Sequence, residues 1–194
     1  MKDVLSVVAA IIMLLSTIPY IVDIVKGKTK PNIVTWFVWS VLIGIGAAAL
    51  FAENQVPAAL LLLGDGIATF AVVLFGLKHG KAKLDAFDAG CFIGAIVGLI
   101  LWLIFDSPMI AVVATIVIDL IGTMPTIRHS WFHPEEETVI TFALGVIATT
   151  LTLISLPSYE FAAWIYPAYL LLSNGLLVVT IQHGHDLANK DKRE

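Results

Sequence analysis

The sequence predicts an all-α membrane protein of seven transmembrane helices, and three observations carry that prediction. Hydrophobic residues fill 59% of the 194 positions and charged residues 13%, far from the near-half apolar content of a soluble domain. Apolar windows near the roughly 20 residues that a ~30 Å hydrocarbon core requires recur seven times. Thr17-Ile18-Pro19-Tyr20-Ile21 returns 106 residues later as Thr123-Met124-Pro125-Thr126-Ile127. An internal repeat in a membrane protein points to a transporter fold.

The windows span 4–25, 33–52, 57–77, 88–105, 109–130, 138–156 and 161–182. The first is too long for a secretory signal and has only Lys2 before it, and its Pro19 is duplicated later, so it reads as a permanent helix. The second and third are joined by a short loop carrying Glu53. The fourth holds Cys91, the single cysteine, which leaves no disulfide or thiolate metal site. The fifth carries Pro125 and ends at Arg128. Pro134-Glu135-Glu136-Glu137 is expected to open the sixth, with acids at the positive end of the helix dipole. The seventh precedes Lys190, Lys192 and Arg193. All connections are too short for a further soluble domain, so 1–194 reads as one membrane domain.

Orientation follows from where the positive residues fall. Lys26, Lys28, Lys30, Lys78, Lys81, Lys83, Arg128, Lys190, Lys192 and Arg193 are ten of the eleven Lys and Arg residues, and in a seven-helix arrangement all ten lie on one side. The positive-inside rule makes that side the cytoplasm. The opposite loops carry Glu53, Asp106 and Glu160. The expectation is a plasma (inner) membrane protein, multi-pass, with its N-terminus outside and its C-terminus cytoplasmic.

The duplication extends beyond the prolines. At the same offset Thr35 meets Thr141 and Trp36 meets Phe142. With small gaps Leu61-Leu62-Leu63-Gly64-Asp65-Gly66 meets Leu170-Leu171-Leu172-Ser173-Asn174-Gly175, and His79-Gly80 meets His183-Gly184. The repeats are 4–80 and 109–184, each a triple-helix unit, with 88–105 left over as a linker helix. Three helices per unit is odd, so the linker gives both units the same direction: a 3+1+3 parallel repeat about an axis along the membrane normal.

This pattern resembles the SWEET and PQ-loop family, whose full-length members have seven helices and a proline motif in helices 1 and 5. Pro19-Tyr20-Ile21, followed by Lys28-Thr29-Lys30 and Thr35-Trp36, is similar to the first motif, and Pro125-Thr126-Ile127 to a degenerate second copy. Tyr20 and Thr126 stand where the family has glutamine. The strings from Lys26 to Trp39 and from Asp119 to Pro134 also resemble those of uncharacterised prokaryotic relatives. The resemblance implies that Pro19 and Pro125 are hinges for two rocking units; a fixed kink is the plainer reading of a helix proline. It also implies that Asp65 and Asn174 occupy the positions of paired cavity asparagines that bind substrate.

Asp65 lies near the middle of its helix, where an ionised carboxylate facing lipid would cost at least about 2.5–3.5 kcal/mol. It must face a cavity, pair, or be protonated. A carboxylate in place of an amide favours an amine-bearing substrate or proton coupling, against the alternative of structural glue to Asn174. Asp119 has the apolar Met13 as its counterpart. It is read either as part of a proton relay with Asp65 or as a lock on a neighbouring hydroxyl such as Thr17 or Thr123. Trp39 is a candidate wall of the site, able to stack on a sugar or meet a cation. Tyr169 and Ser173, one turn apart, are read as sharing a helix face near Asn174, with core filling as the plainer role for Tyr169. Asp23 is expected at the cytoplasmic rim, either snorkelling or pairing with a loop lysine.

His183-Gly184-His185 offers too few ligands for a metal site, and no cofactor is expected. No nucleophile elbow, phosphate loop, His-Glu-x-x-His helix or nucleic-acid stripe is present, so the chain does not read as an enzyme or a nucleic-acid binder. The expected function is transport of a small polar solute (a sugar, or an amine, amino acid or vitamin-like molecule) by alternating access, with protons as a candidate coupling ion. The rival is a membrane receptor or scaffold of the same fold that binds without transport. Monomer and homo-oligomer both remain open.

Overall fold

The computed structural model describes residues 2–52, 56–79, 85–104, 108–156, 159 and 161–191. They form seven α-helices: α1 (Lys2–Val25), α2 (Ile33–Ala52), α3 (Val56–His79), α4 (Ala86–Ile104), α5 (Pro108–Phe132), α6 (Val139–Ser155) and α7 (Phe161–Asp191). Among the described residues there is no strand. Glu53, Asp106 and Glu160, as well as Lys81, Lys83, Lys192 and Arg193, lie outside them.

Local chemistry explains the end of α1 and the start of α2. Gly27 takes φ +70° and stops α1, while its N–H and that of Lys28 donate back to Ile24 O and Asp23 O, both at 2.9 Å. Only glycine adopts that left-handed conformation without steric cost. Asn32 caps α2, its Oδ1 accepting from the Val34 and Thr35 amides at 3.1 and 3.4 Å.

Two boundaries differ from the sequence expectation. The acids Glu135 and Glu136 do not open α6: Pro134–Glu136 is a separate 3-10 turn, Glu137 is extended, and α6 begins at Val139. The turn is tied instead to the α1–α2 loop, where the Lys30 backbone N–H donates to Glu136 O at 2.9 Å. The seventh helix runs to Asp191 rather than residue 182. Loss of apolarity marks where a helix leaves a bilayer, not where its backbone hydrogen bonding stops, and Gln182–Asp191 contains no proline to stop it.

The charged residues gather at one end. Lys30 pairs with Glu136 there, and Arg128 Nη1 lies 2.5 Å from Asp85 Oδ2. Gly76 of α3 packs against Pro31 and Ile33, and Gly184 of α7 packs against Pro134; a Cβ at either glycine would come within 2.7 Å of its neighbour. So α1, α3, α5 and α7 finish at this end, and α2, α4 and α6 start there. At the opposite end Lys2 Nζ donates to Leu156 O, just past α6, at 2.7 Å.

Six helices close a ring. α1 packs on α3 and α6, α6 on α7, α7 on α5, α5 on α2, and α2 on α3, while α4 lies outside against α5 and α2. Tyr20, Ile24, Trp36, Val72, Val73, Phe142, Leu177 and Ile181 fill the ring near the charged end. Val34, Val38, Leu42, Ala95 and Ile118, with Phe92, join α2, α4 and α5.

The outer surface is apolar: Ile11, Ile18, Ile93, Leu172 and Val179 are among many large exposed hydrophobic residues. Contiguous apolar surface on that scale marks contact with membrane or protein. Val4–Val25 and Trp164–Leu187 are each long and apolar enough to cross a bilayer. Ile33–Gly44, Gly66–His79, Ala86–Val97 and Val139–Ser155 are shorter apolar helical stretches.

Candidate functional site

The two repeated prolines sit inside continuous helices. Each removes one backbone donor, leaving the Leu15 and Ile121 carbonyls one turn earlier without their amide partner. Hydroxyls crowd the same turns: Ser16 Oγ donates to Met13 O and Thr123 Oγ1 to Asp119 O, both at 2.7 Å. Such bonds back to the preceding turn bend helices. Pro125 is fully buried between Thr123 and Thr126, which are also fully buried, and Pro19 is half-buried. α7 carries a further interior proline, Pro167, without a proline counterpart at the aligned position of α3.

Asp119 is 3% exposed and is held across the α5–α7 contact by the Tyr169 hydroxyl, which donates to Oδ2 at 2.6 Å. The hydroxyls proposed for it from sequence go elsewhere, Thr123 to the Asp119 backbone carbonyl and Thr17 to Leu14 O at 3.4 Å. Tyr169 therefore engages the acid of a neighbouring helix, which its spacing from Ser173 and Asn174 did not reveal. Ser173, one turn further along α7, is buried.

Asn174 is turned toward α6. Its Nδ2 donates to Leu170 O at 2.8 Å, and its amide rests against Gly145, where a Cβ would lie 2.6 Å from Oδ1. Glycine at 145 is what lets the polar side chain fit between α6 and α7. Asp65 lies on α3, but its side chain is outside those described, and α3 and α7 are not neighbours in the ring. Trp39 is half-buried and meets Trp36 edge-on, with ring centroids 5.2 Å apart.

The densest polar cluster lies at the charged end of the α1–α6 seam. Tyr20, immediately after Pro19, is fully buried; its hydroxyl donates to Glu137 Oε2 at 2.7 Å and accepts from Trp36 Nε1 at 3.3 Å. The Thr29 and Thr138 hydroxyls meet at 2.5 Å, and Thr138 also donates to Asp23 Oδ2 at 3.2 Å. Asp23 thus takes a threonine from the other half of the ring rather than a loop lysine. Lys30 pairs with Glu136, whose Oε2 lies 3.3 Å from His129 Nε2 in a geometry too bent for a hydrogen bond.

Glu137 is 6% exposed, and its second oxygen, Oε1, has no hydrogen-bond partner. Burial pushes its carboxyl up to about 8; the Tyr20 hydrogen bond opposes that shift and the nearby Glu136 charge adds to it. In sequence Glu137 stands with Glu135 and Glu136 as one of three acids expected to open the sixth helix, and nothing in that expectation singles it out. A signal was present: a tyrosine placed directly after a helix proline in an apolar segment needs a partner for its hydroxyl.

At the other seam the contacts are apolar. Gly122 of α5 faces Val38 of α2 so closely that a Cβ would lie 2.7 Å from Val38 Cγ1. Asn32 Nδ2 donates to Asp88 Oδ1 at 3.1 Å, fixing α4 to the start of α2. Comparison with family models, with curated proteins and with solved structures yields no match to this chain.

Proposed function

We propose that this chain is a plasma-membrane transporter that moves a small polar solute by alternating access between two parallel triple-helix units. The observation that carries the reading is the order of the ring. Exchanging α1, α2 and α3 with α5, α6 and α7 leaves every neighbour relation of the six ring helices unchanged, and only α4 stands outside that exchange. Such neighbour symmetry supports a parallel repeat about an axis through the ring. Burial agrees with it: Thr17 and Thr123, Thr35 and Thr141, and Trp36 and Phe142 are all buried pairs at the sequence offset. The seven-span topology is supported by the alternation of helix ends and by the apolar outer surface.

On this reading Pro19 and Pro125 soften equivalent positions in α1 and α5, and the units rock about them. Asp65 and Asn174 bind the solute, with Trp39, Ser173 and Tyr169 around them. Asp119, tied to Tyr169, links the site to the hinge helix and is a candidate proton carrier with Asp65. Kinship with the SWEET and PQ-loop family belongs to the same proposal and rests on the motif residues and the helix order. A sugar fits that kinship, and an amine, amino acid or vitamin-like solute fits the extra acids.

The test is uptake into proteoliposomes across a panel of sugars, amino acids, amines and vitamins, with and without a pH gradient. Saturable flux that falls at least about tenfold in both Asp65→Ala and Asn174→Ala is expected, the loss of roughly 1.4 kcal/mol of transition-state stabilisation. Ligand-dependent stabilisation without counterflow would instead identify a receptor.

A further inference from the structure

The α1–α6 seam contains an acid for which the transport reading gives no role. Glu137 sits between the two halves of the ring, one oxygen on Tyr20 and the other unpartnered. Lys26 and Lys28, also at this end, are exposed to solvent, and the other charges on the elements around Glu137 are engaged elsewhere. Lys30 is paired with Glu136, Arg128 with Asp85, and His129 Nε2 faces Glu136. Asp23 on α1 accepts from Thr138, and Glu135 lies near His133. His183 and His185 of α7 flank Gly184, which packs on Pro134. An ionised Glu137 would therefore be a buried charge with one donor and no counter-ion, whereas the neutral acid leaves only one polar group unsatisfied. A buried unpaired charge is far the costlier of the two.

We infer that Glu137 is a proton-binding residue of the inner gate, protonated when the α1–α6 seam is closed and ionised when the seam opens to water. On opening, the carboxyl O–H bond breaks, water takes the proton, and the carboxylate is left hydrated. On closing, the same proton is taken up from solvent. The Tyr20 hydroxyl is the sensor's contact with the hinge, since Tyr20 directly follows Pro19.

The sign follows from linkage. A hydrated glutamate ionises at its ordinary value of 4.5, while the closed seam holds Glu137 protonated up to about 8. The closed state binds more protons, so closure is fully favoured below the lower value and is progressively lost as pH rises through the upper one. The inference deepens the transport reading, because each cycle of the gate would release a proton, but the protonation step itself does not require transport.

The experiment uses the full chain in lipid nanodiscs, in a Cys91→Ala background, with spin labels at Lys28→Cys and Glu135→Cys, both exposed positions on opposite sides of the seam. The expected result is a short label distance at about pH 5 that lengthens through about pH 8. Glu137→Gln should hold the short distance throughout. Tyr20→Phe, which removes the one donor to the carboxylate, should move the midpoint to higher pH. Infrared spectra should show a protonated carboxyl band that titrates with the distance and is absent in Glu137→Gln. A wild-type distance that ignores pH overturns the inference, as does a transition that survives in Glu137→Gln. A titrating seam in a protein without solute flux would leave the inference standing and remove the transport reading; flux with an unresponsive seam would do the reverse.

Discussion

The two seams that join the halves of the ring occupy equivalent places but use opposite chemistry. Between α2 and α5, Gly122 lies against Val38, and Leu42 and Ile118 pack nearby. Between α1 and α6, the charged end is held by Tyr20 and Glu137, Thr29 and Thr138, and Asp23. Close apolar packing resists separation at every pH. A few directional bonds around a buried acid can be released by the loss of one proton. On the proposed transport reading, the ring opens along the α1–α6 seam and pivots on the α2–α5 seam.

The strongest way to break this contrast is to overfill the apolar seam. Gly122→Leu places a branched side chain where even a Cβ would meet Val38 at 2.7 Å, and overpacking of this kind costs about 3 kcal/mol. Thermal unfolding of the purified protein should show a large, pH-independent loss. If α2 and α5 separated freely during the cycle, the loss would be small.

Tyr20→Phe is expected to come next. It removes the one donor to Glu137 and leaves a buried carboxyl without a partner, a cost of about 1–3 kcal/mol. Here the loss should grow between pH 6 and 9 because it falls on the ionised form, and melting curves at several pH values would read that slope. A flat profile would mean that the two seams do not differ in the way described.

Asn32→Ala should cost about 1 kcal/mol, the worth of a helix cap, together with the bond to Asp88. Because both contacts lie on the α2 and α4 side, hydrogen exchange should rise in the first turn of α2 and leave Val139–Ser155 unchanged. Asp85→Asn should have the smallest effect, since its ion pair with Arg128 is between half-exposed side chains and exposed pairs contribute little. A melting temperature within error of wild type is expected, with Arg128 still over the Phe87 ring.

Much of the helical framework was legible because its causes are local. Each apolar window corresponds to a helix, Gly27 and Asn32 are residues of the types that end and begin helices, and Pro19 and Pro125 stand out by type alone. The candidate site was less so. Asp119 was recognisable as a buried acid by its position in an apolar helix, yet Tyr169, 50 residues away, emerged as its partner only when α5 and α7 were placed side by side. Asn174 was expected from its alignment with Asp65, but its contact with Gly145 depends on which face of α7 meets α6. A repeat relates positions within two units and is silent about the faces they turn to one another.

Glu137 marks that boundary most clearly. Composition and spacing were enough to place three successive acids after Pro134 and to expect a helix start. The backbone instead makes a separate turn, exposing Glu135, pairing Glu136 with Lys30 and burying Glu137 against Tyr20, 117 residues away in the chain. Helix length and breaker residues act over a few neighbours, so they can be read along a line. Burial and partner choice are set by packing among distant segments, and the same three carboxylates acquire three environments only when the ring closes.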